Sequence, residues 1–180
     1  MAALMLGGCA SYQFRIVEPV SAAGAVEQEA VVFEMQPLEY HLASVGDRLG
    51  VRVVNPTGDV VTLLGERSYV VDPSGETQPM RGGSIAPDSH ITMLLPPELR
   101  YGSTAPRVGV GIGVGSGFRG GHVGTGFYGH RWSDYPRHRY VLEGGPYWQW
   151  TTGRVRLRLV YDQQGETFEH DFVFERVRVD

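Results

Sequence analysis

Gly153-Arg-Val-Arg-Leu-Arg-Leu-Val-Tyr-Asp-Gln-Gln-Gly-Glu-Thr-Phe-Glu-His-Asp-Phe-Val-Phe174 is the stretch that decides the fold. Val155, Leu157, Leu159 and Tyr161 alternate with Arg154, Arg156 and Arg158, the period of two that gives a strand one apolar and one charged face. Asp162-Gln163-Gln164-Gly165 reads as a turn, and the chain returns through Phe168, His170, Phe172 and Phe174. This hairpin predicts that Val155, Leu157, Leu159, Phe172 and Phe174 share one core while the three arginines stay outside it.

Similar short runs recur upstream. Phe14 and Ile16 alternate with polar neighbours, and Ala30 to Met35 is a denser apolar run. Leu38, Tyr40 and Leu42 alternate with Glu39 and His41, and Leu49, Val51 and Val53 with Gly50 and Arg52. Asn55-Pro-Thr-Gly58 and Pro73-Ser-Gly75 are turns, because proline fixes φ and glycine accepts positive φ. Val60 to Leu64, Ser68 to Asp72 and Ile91 to Leu95 add further strands, and Pro96-Pro97 stops the last. No helical period of any length occurs. About nine short strands in a chain of one-domain size predict an all-β protein, a single antiparallel sandwich of immunoglobulin-like kind. The 25 glycines and 11 prolines fit many turns and few helices.

All 16 basic side chains are arginine. Schiff-base lysines, P-loop lysines and Ser-Lys dyads are thereby excluded, since a guanidinium stays charged and cannot act as the amine. The net charge of −4 is unevenly spread. Residues 10–99 hold five arginines against twelve acids, whereas residues 100–139 hold six arginines against Asp134 alone.

Leu6-Gly7-Gly8-Cys9 ends an uncharged apolar run at the chain's single cysteine. It resembles the lipobox of bacterial lipoproteins, in which the cysteine is diacylated and the chain is cleaved just before it. The resemblance implies that Cys9 is the lipidation site, that 1–8 is the remnant of a signal, and that 9–28 is a tether or first strand. No basic residue precedes Cys9, so either the signal starts upstream or its front has been trimmed away. A buried or free cysteine is the plainer alternative. Ala10 follows the cysteine, and in such lipoproteins the absence of aspartate there implies the outer membrane, facing the periplasm.

Residues 101–150 interrupt the pattern and are expected to form a glycine-rich hairpin or loop inserted into a sandwich spanning 29–180. Val108, Val110, Ile112 and Val114 alternate with glycine, and aromatics mixed with arginines and histidines follow. Arg119, Phe127, Tyr128, Arg131, Trp132, Tyr135 and Arg137 are the candidate contacts for a partner, an envelope protein or an anionic envelope lipid, because arginine and aromatic enrichment marks interfaces. Packing of these rings on the sandwich is the alternative. Gly115-Ser-Gly-Phe-Arg-Gly120 and Gly124-Thr-Gly-Phe-Tyr-Gly129 match a dinucleotide fingerprint formally, yet no helix follows to receive a pyrophosphate. No cofactor and no nucleic-acid partner is expected.

An enzyme remains the competing reading: an envelope hydrolase or metal-dependent enzyme assembled from His122, His130, His138 and Asp134. Neither His-x-x-x-His nor His-Glu-x-x-His supports a metal there. Gly82-Gly-Ser84-Ile-Ala86 approaches a nucleophile elbow but leads into a strand, which makes Ser84 a turn residue. His41, His90 and His170 read as ordinary sheet residues, and Glu169 and Asp171 as solvated carboxylates.

Two stretches resemble a pattern in uncharacterised bacterial lipoproteins. The first runs from Leu49-Gly-Val-Arg-Val-Val-Asn through Val71-Asp-Pro-Ser-Gly-Glu to Ser84-Ile-Ala-Pro, and the second is the closing hairpin from Gly153. The matching motifs are turns rather than chemistry, so the resemblance implies an immunoglobulin-like sandwich and no activity. The expectation is a non-enzymatic scaffold or interaction module.

Overall fold

The computed structural model describes residues 11–26, 30–97, 139–140 and 148–179. The strands are β1 (Ser11–Glu18), β2 (Gly24–Val26), β3 (Val31–Met35), β4 (Leu38–Val45), β5 (Arg48–Asn55), β6 (Val61–Leu63) and β7 (Tyr69–Val71). They continue with β8 (Thr77–Pro79), β9 (Gly83–Ile85), β10 (Ser89–Leu95), β11 (Arg139–Tyr140), β12 (Gly153–Gln163) and β13 (Glu166–Val179). Two short 3₁₀ turns, Val20–Ala22 and Gly65–Arg67, are the only helical elements among the described residues.

The strands form two sheets, as an all-β sandwich requires. The larger has eight strands along the path β2-β1-β13-β12-β6-β9, with β7 also on β12 and β8 on β7. The smaller has five, ordered β11-β10-β5-β4-β3. Every pairing is antiparallel except β10 with β11. The thirteen strands of the described residues exceed the nine legible in the sequence by β2, β8, β9 and β11, which lack the apolar runs that mark the equally short β6 and β7.

The C-terminal hairpin is the long spine. Gln163 pairs with Glu166, so the loop is Gln164-Gly165 alone. Both residues have positive φ, 56° and 85°, which is the backbone a two-residue hairpin turn of matching twist requires. Val155, Leu157, Leu159, Phe172 and Phe174 are fully buried in one core with Leu42, Val51 and Val53 of the facing sheet. Burial of each such side chain stabilises by roughly 1.5–3 kcal/mol. Arg154 and Arg156 lie exposed on the opposite face and Arg158 is half-buried there.

Glu169 and Asp171 face outward as the sequence suggested, and there they are also ion-paired. Arg154 pairs with Glu175 at 3.2 Å, Arg156 with Asp171 at 3.4 Å, and Arg158 with both Glu169 and Asp171. The outward arginines of β12 and outward acids of β13 thus form one neutral ladder, each exposed pair contributing on the order of 1 kcal/mol or less.

Three further positions differ from expectation. Ser84 lies within β9, opposite Thr62, rather than in a turn. Its neighbour Gly82 allows two backbones to touch: a Cβ on Gly65 would lie 2.6 Å from the Met80 carbonyl oxygen, and one on Gly82 would lie 2.7 Å from that of Leu63. Trp148 and Trp150, placed by the sequence in the insertion, are core residues, with the Trp150 ring 5.0 Å from Phe14.

Candidate functional site

The polar chemistry of the core gathers where the two sheets face each other. Tyr40 occupies an inward position of β4, and Tyr161 and His170 occupy inward positions of β12 and β13, where the period of two delivers them to the interior. Both tyrosines are 0% exposed and His170 is 6% exposed. A buried hydroxyl or imidazole must find partners or cost about 1–3 kcal/mol, and these three find one another. The Tyr40 hydroxyl lies 3.0 Å from that of Tyr161 and 2.7 Å from His170 Nδ1. His170 Nε2 lies 3.3 Å from the Gln36 carbonyl oxygen in the β3–β4 turn.

The order of hydrogens follows from the last contact. A carbonyl can only accept, so Nε2 carries the hydrogen and bare Nδ1 accepts from Tyr40. Tyr40 oxygen then accepts from Tyr161. The relay runs Tyr161 to Tyr40 to His170 to Gln36 and joins both sheets. Burial raises both phenols above their ordinary range. Burial also lowers the His170 imidazole below its ordinary value, against the opposing effect of the Gln36 carbonyl. His170 is therefore a neutral inter-sheet linker, which corrects its reading as an ordinary sheet residue.

Gln36 also lines a shallow groove of about 320 Å³ with Glu34, Pro37, Leu38, Glu39 and Pro56. Glu34 and Glu39 pair across β3 and β4, and His41 Nε2 bonds the Glu39 carboxylate. The relay reaches the groove only through a backbone carbonyl that His170 already engages.

Two other buried polar residues act as local hubs. Asp72, 4% exposed, accepts from the Ser74 and Glu76 backbone N–H groups, the Ser74 hydroxyl and the Gln78 amide at 2.6–3.1 Å. Burial alone would raise its carboxyl, but these donors outweigh that cost and hold it below the ordinary range. Asn55, fully buried, donates to the carbonyls of Asp59 and Ile85 and accepts from the Thr57 N–H and hydroxyl. Ser68 completes the set, accepting the Val160 N–H at 2.9 Å and donating to the Leu64 carbonyl at 2.8 Å.

Cys9, the contact candidates Arg119, Phe127, Tyr128, Arg131, Trp132, Tyr135 and Arg137, and the alternative constellation His122, His130, Asp134 and His138 all lie outside the described residues. Among the described residues, no three His, Cys, Asp or Glu side chains are grouped to hold a metal. Their helices include none long and apolar enough to cross a membrane. The relay, which sequence reasoning missed, had a local signal: a histidine at an inward position between Phe168 and Phe172 must be buried and bonded. Comparison with models of known protein families gives no match, and no curated protein matches the chain.

Proposed function

We propose that the chain is a bacterial envelope lipoprotein, tethered by a lipid on Cys9, whose immunoglobulin-like sandwich serves as a non-enzymatic scaffold or interaction module. The tether rests on Leu6-Gly7-Gly8-Cys9, and Ala10 favours the periplasmic face of the outer membrane. The scaffold role is supported by the state of the buried polar groups. His170 has both ring nitrogens engaged, and Asp72 and Asn55 bond several of the chain's own groups. A general base or metal ligand needs a lone pair directed at substrate or ion, and His170 has both of its nitrogens directed at protein.

Arg119, Phe127, Tyr128, Arg131, Trp132, Tyr135 and Arg137 are then the contacts for an envelope protein or anionic envelope lipid. Their arginines supply attraction that weakens with salt over about 8 Å at physiological ionic strength.

The test is fractionation of the chain behind a complete lipoprotein signal in a bacterial host fed a labelled fatty acid. Wild type should carry the label and sediment with membranes, and Cys9→Ser should do neither, because two acyl chains anchor stably at about 0.8 kcal/mol per buried CH₂. Equal membrane recovery of the two rejects the tether.

A further inference from the structure

We propose that the end of the sandwich where β1 begins and β13 ends rests on the headgroup layer of a lipid bilayer. This deepens the Cys9 tether and depends on it. β1 starts at Ser11, held in the sheet opposite Val179 with its hydroxyl donating to the Val179 carbonyl at 2.7 Å. Only Ala10 separates Ser11 from Cys9. An extended chain spans about 3.3–3.6 Å per residue, so the Cys9 Cα is within about 7 Å of the Ser11 Cα. Acyl chains on Cys9 lie in the hydrocarbon, and the polar layer of one leaflet is roughly 5–8 Å thick. No linker is long enough to lift this end of the sheet clear of the headgroups.

The residues at that end suit such a surface. Tyr12 and Val179 are each 40% exposed and stand on neighbouring strands one register position apart, so their side chains leave opposite faces of the same sheet end. Tyrosine is enriched at membrane interfaces because its ring is apolar and its tip polar. Beneath it lies Arg176, whose guanidinium carbon is 4.6 Å from the centre of the Tyr12 ring and 5.3 Å from that of Phe14. Arg176 donates to the Trp150 carbonyl and has no carboxylate partner among the described residues. A cation held against an exposed tyrosine fits a layer of lipid phosphates. The opposite end of the same hairpin carries Gln164 and Gly165. Some 13 residues of β13 at about 3.3 Å each place it roughly 40 Å away.

The experiment uses the full lipidated chain in vesicles of phosphatidylethanolamine and phosphatidylglycerol, three to one by proportion, roughly the anionic fraction that gives membranes their negative surface potential. Acylated Cys9 has no free thiol, so Val179→Cys or Gln164→Cys introduces the single site for an environment-sensitive fluorophore. The label at 179 should emit at shorter wavelength in vesicles and be quenched several-fold more by a lipid-borne quencher than the label at 164. In the Val179→Cys background, Tyr12→Ser should reduce that quenching while leaving vesicle recovery unchanged. Vesicle-bound protein whose label at 179 is as aqueous as that at 164 overturns the docking alone. Protein recovered in the aqueous fraction overturns the tether and the docking with it.

Discussion

Tyr161→Phe and Tyr40→Phe remove the same atom from residues equally buried, yet the polarity of the relay makes their costs differ. In the derived order, Tyr161 is the first donor. Its loss takes one hydrogen bond from the chain, but the Tyr40 hydroxyl still donates to His170 Nδ1 at 2.7 Å, so the cost is about 0.5–1.5 kcal/mol. Tyr40→Phe instead leaves the Tyr161 hydrogen without an acceptor and Nδ1 without a donor, both inside the core. At about 1–3 kcal/mol for each orphaned group, the cost is roughly 2–6 kcal/mol. Urea denaturation followed by tryptophan fluorescence reads both, since Trp148 and Trp150 lie in the same core. If Tyr161→Phe costs as much as Tyr40→Phe, the assignment of hydrogens fails.

Protonation of His170 tests the same order. A second hydrogen on Nδ1 would turn Tyr40 around and leave the Tyr161 hydrogen without its acceptor, consistent with an imidazole that burial holds below its ordinary value. The unfolded chain then binds the proton first. His170's contribution to stability is therefore complete above about pH 6.5 and is lost as pH falls from there through the folded value. Stability of His170→Gln should lack this component as pH falls below about 6.5, and an unchanged slope there would show that another group carries it.

Gly65→Ala should destabilise by about 3 kcal/mol or more, because its Cβ would overlap backbone of Met80 through Gly82. Gly58→Ala, with open space around it, should stay within about 0.5 kcal/mol of wild type by thermal melting. Asp72→Ala strips acceptors from two backbone N–H groups and the buried Gln78 amide, costing roughly 2–4 kcal/mol. Because folding lowers the Asp72 carboxyl, its contribution is complete above about pH 4 and is lost as pH falls through the folded value, so the variant should show a shallower acid limb. Leu157→Ala, in a fully buried position, should cost about 2–5 kcal/mol in urea, and a value below 1 would remove the hairpin from the core.

The closing hairpin was readable because four inward pairs in succession, from Val155 with Phe174 to Tyr161 with Phe168, alternate with outward positions rich in arginine and acid, and a single turn fixes their register. β2, β8 and β9 were not, since Gly24-Ala-Val, Thr77-Gln-Pro and Gly83-Ser-Ile hold at most one large apolar side chain each, whereas the equally short β6 and β7 lie in apolar runs. Trp148 and Trp150 show the same limit. They flank exposed Gln149, one cycle of alternation beside a long glycine-rich stretch, and the longer signal dominated. Each member of the relay sat at a readable inward position. Their meeting was not readable, because Tyr40 is 121 residues from Tyr161 and 130 from His170, and only the packing of one sheet on the other determines who faces whom.

That packing also explains why histidine and tyrosine occur among so many aliphatic side chains. An apolar sandwich core sets the placement of its sheets only through side-chain fit, since one Leu or Val contact resembles another in kind. A directional chain of hydrogen bonds adds a stricter condition, because displacement of either sheet orphans at least one buried group at about 1–3 kcal/mol. The relay joins β4 of one sheet to β12 and β13 of the other, while Asn55 at the end of β5 bonds the Ile85 carbonyl of β9 across the same divide. These two polar links lie on different strand pairs, so together they fix rotation as well as translation of the sheets. In the proposed role, a scaffold presenting the β1–β13 end to one surface needs its two sheets held in one arrangement. A polar core whose valences are directed at the protein itself meets that need.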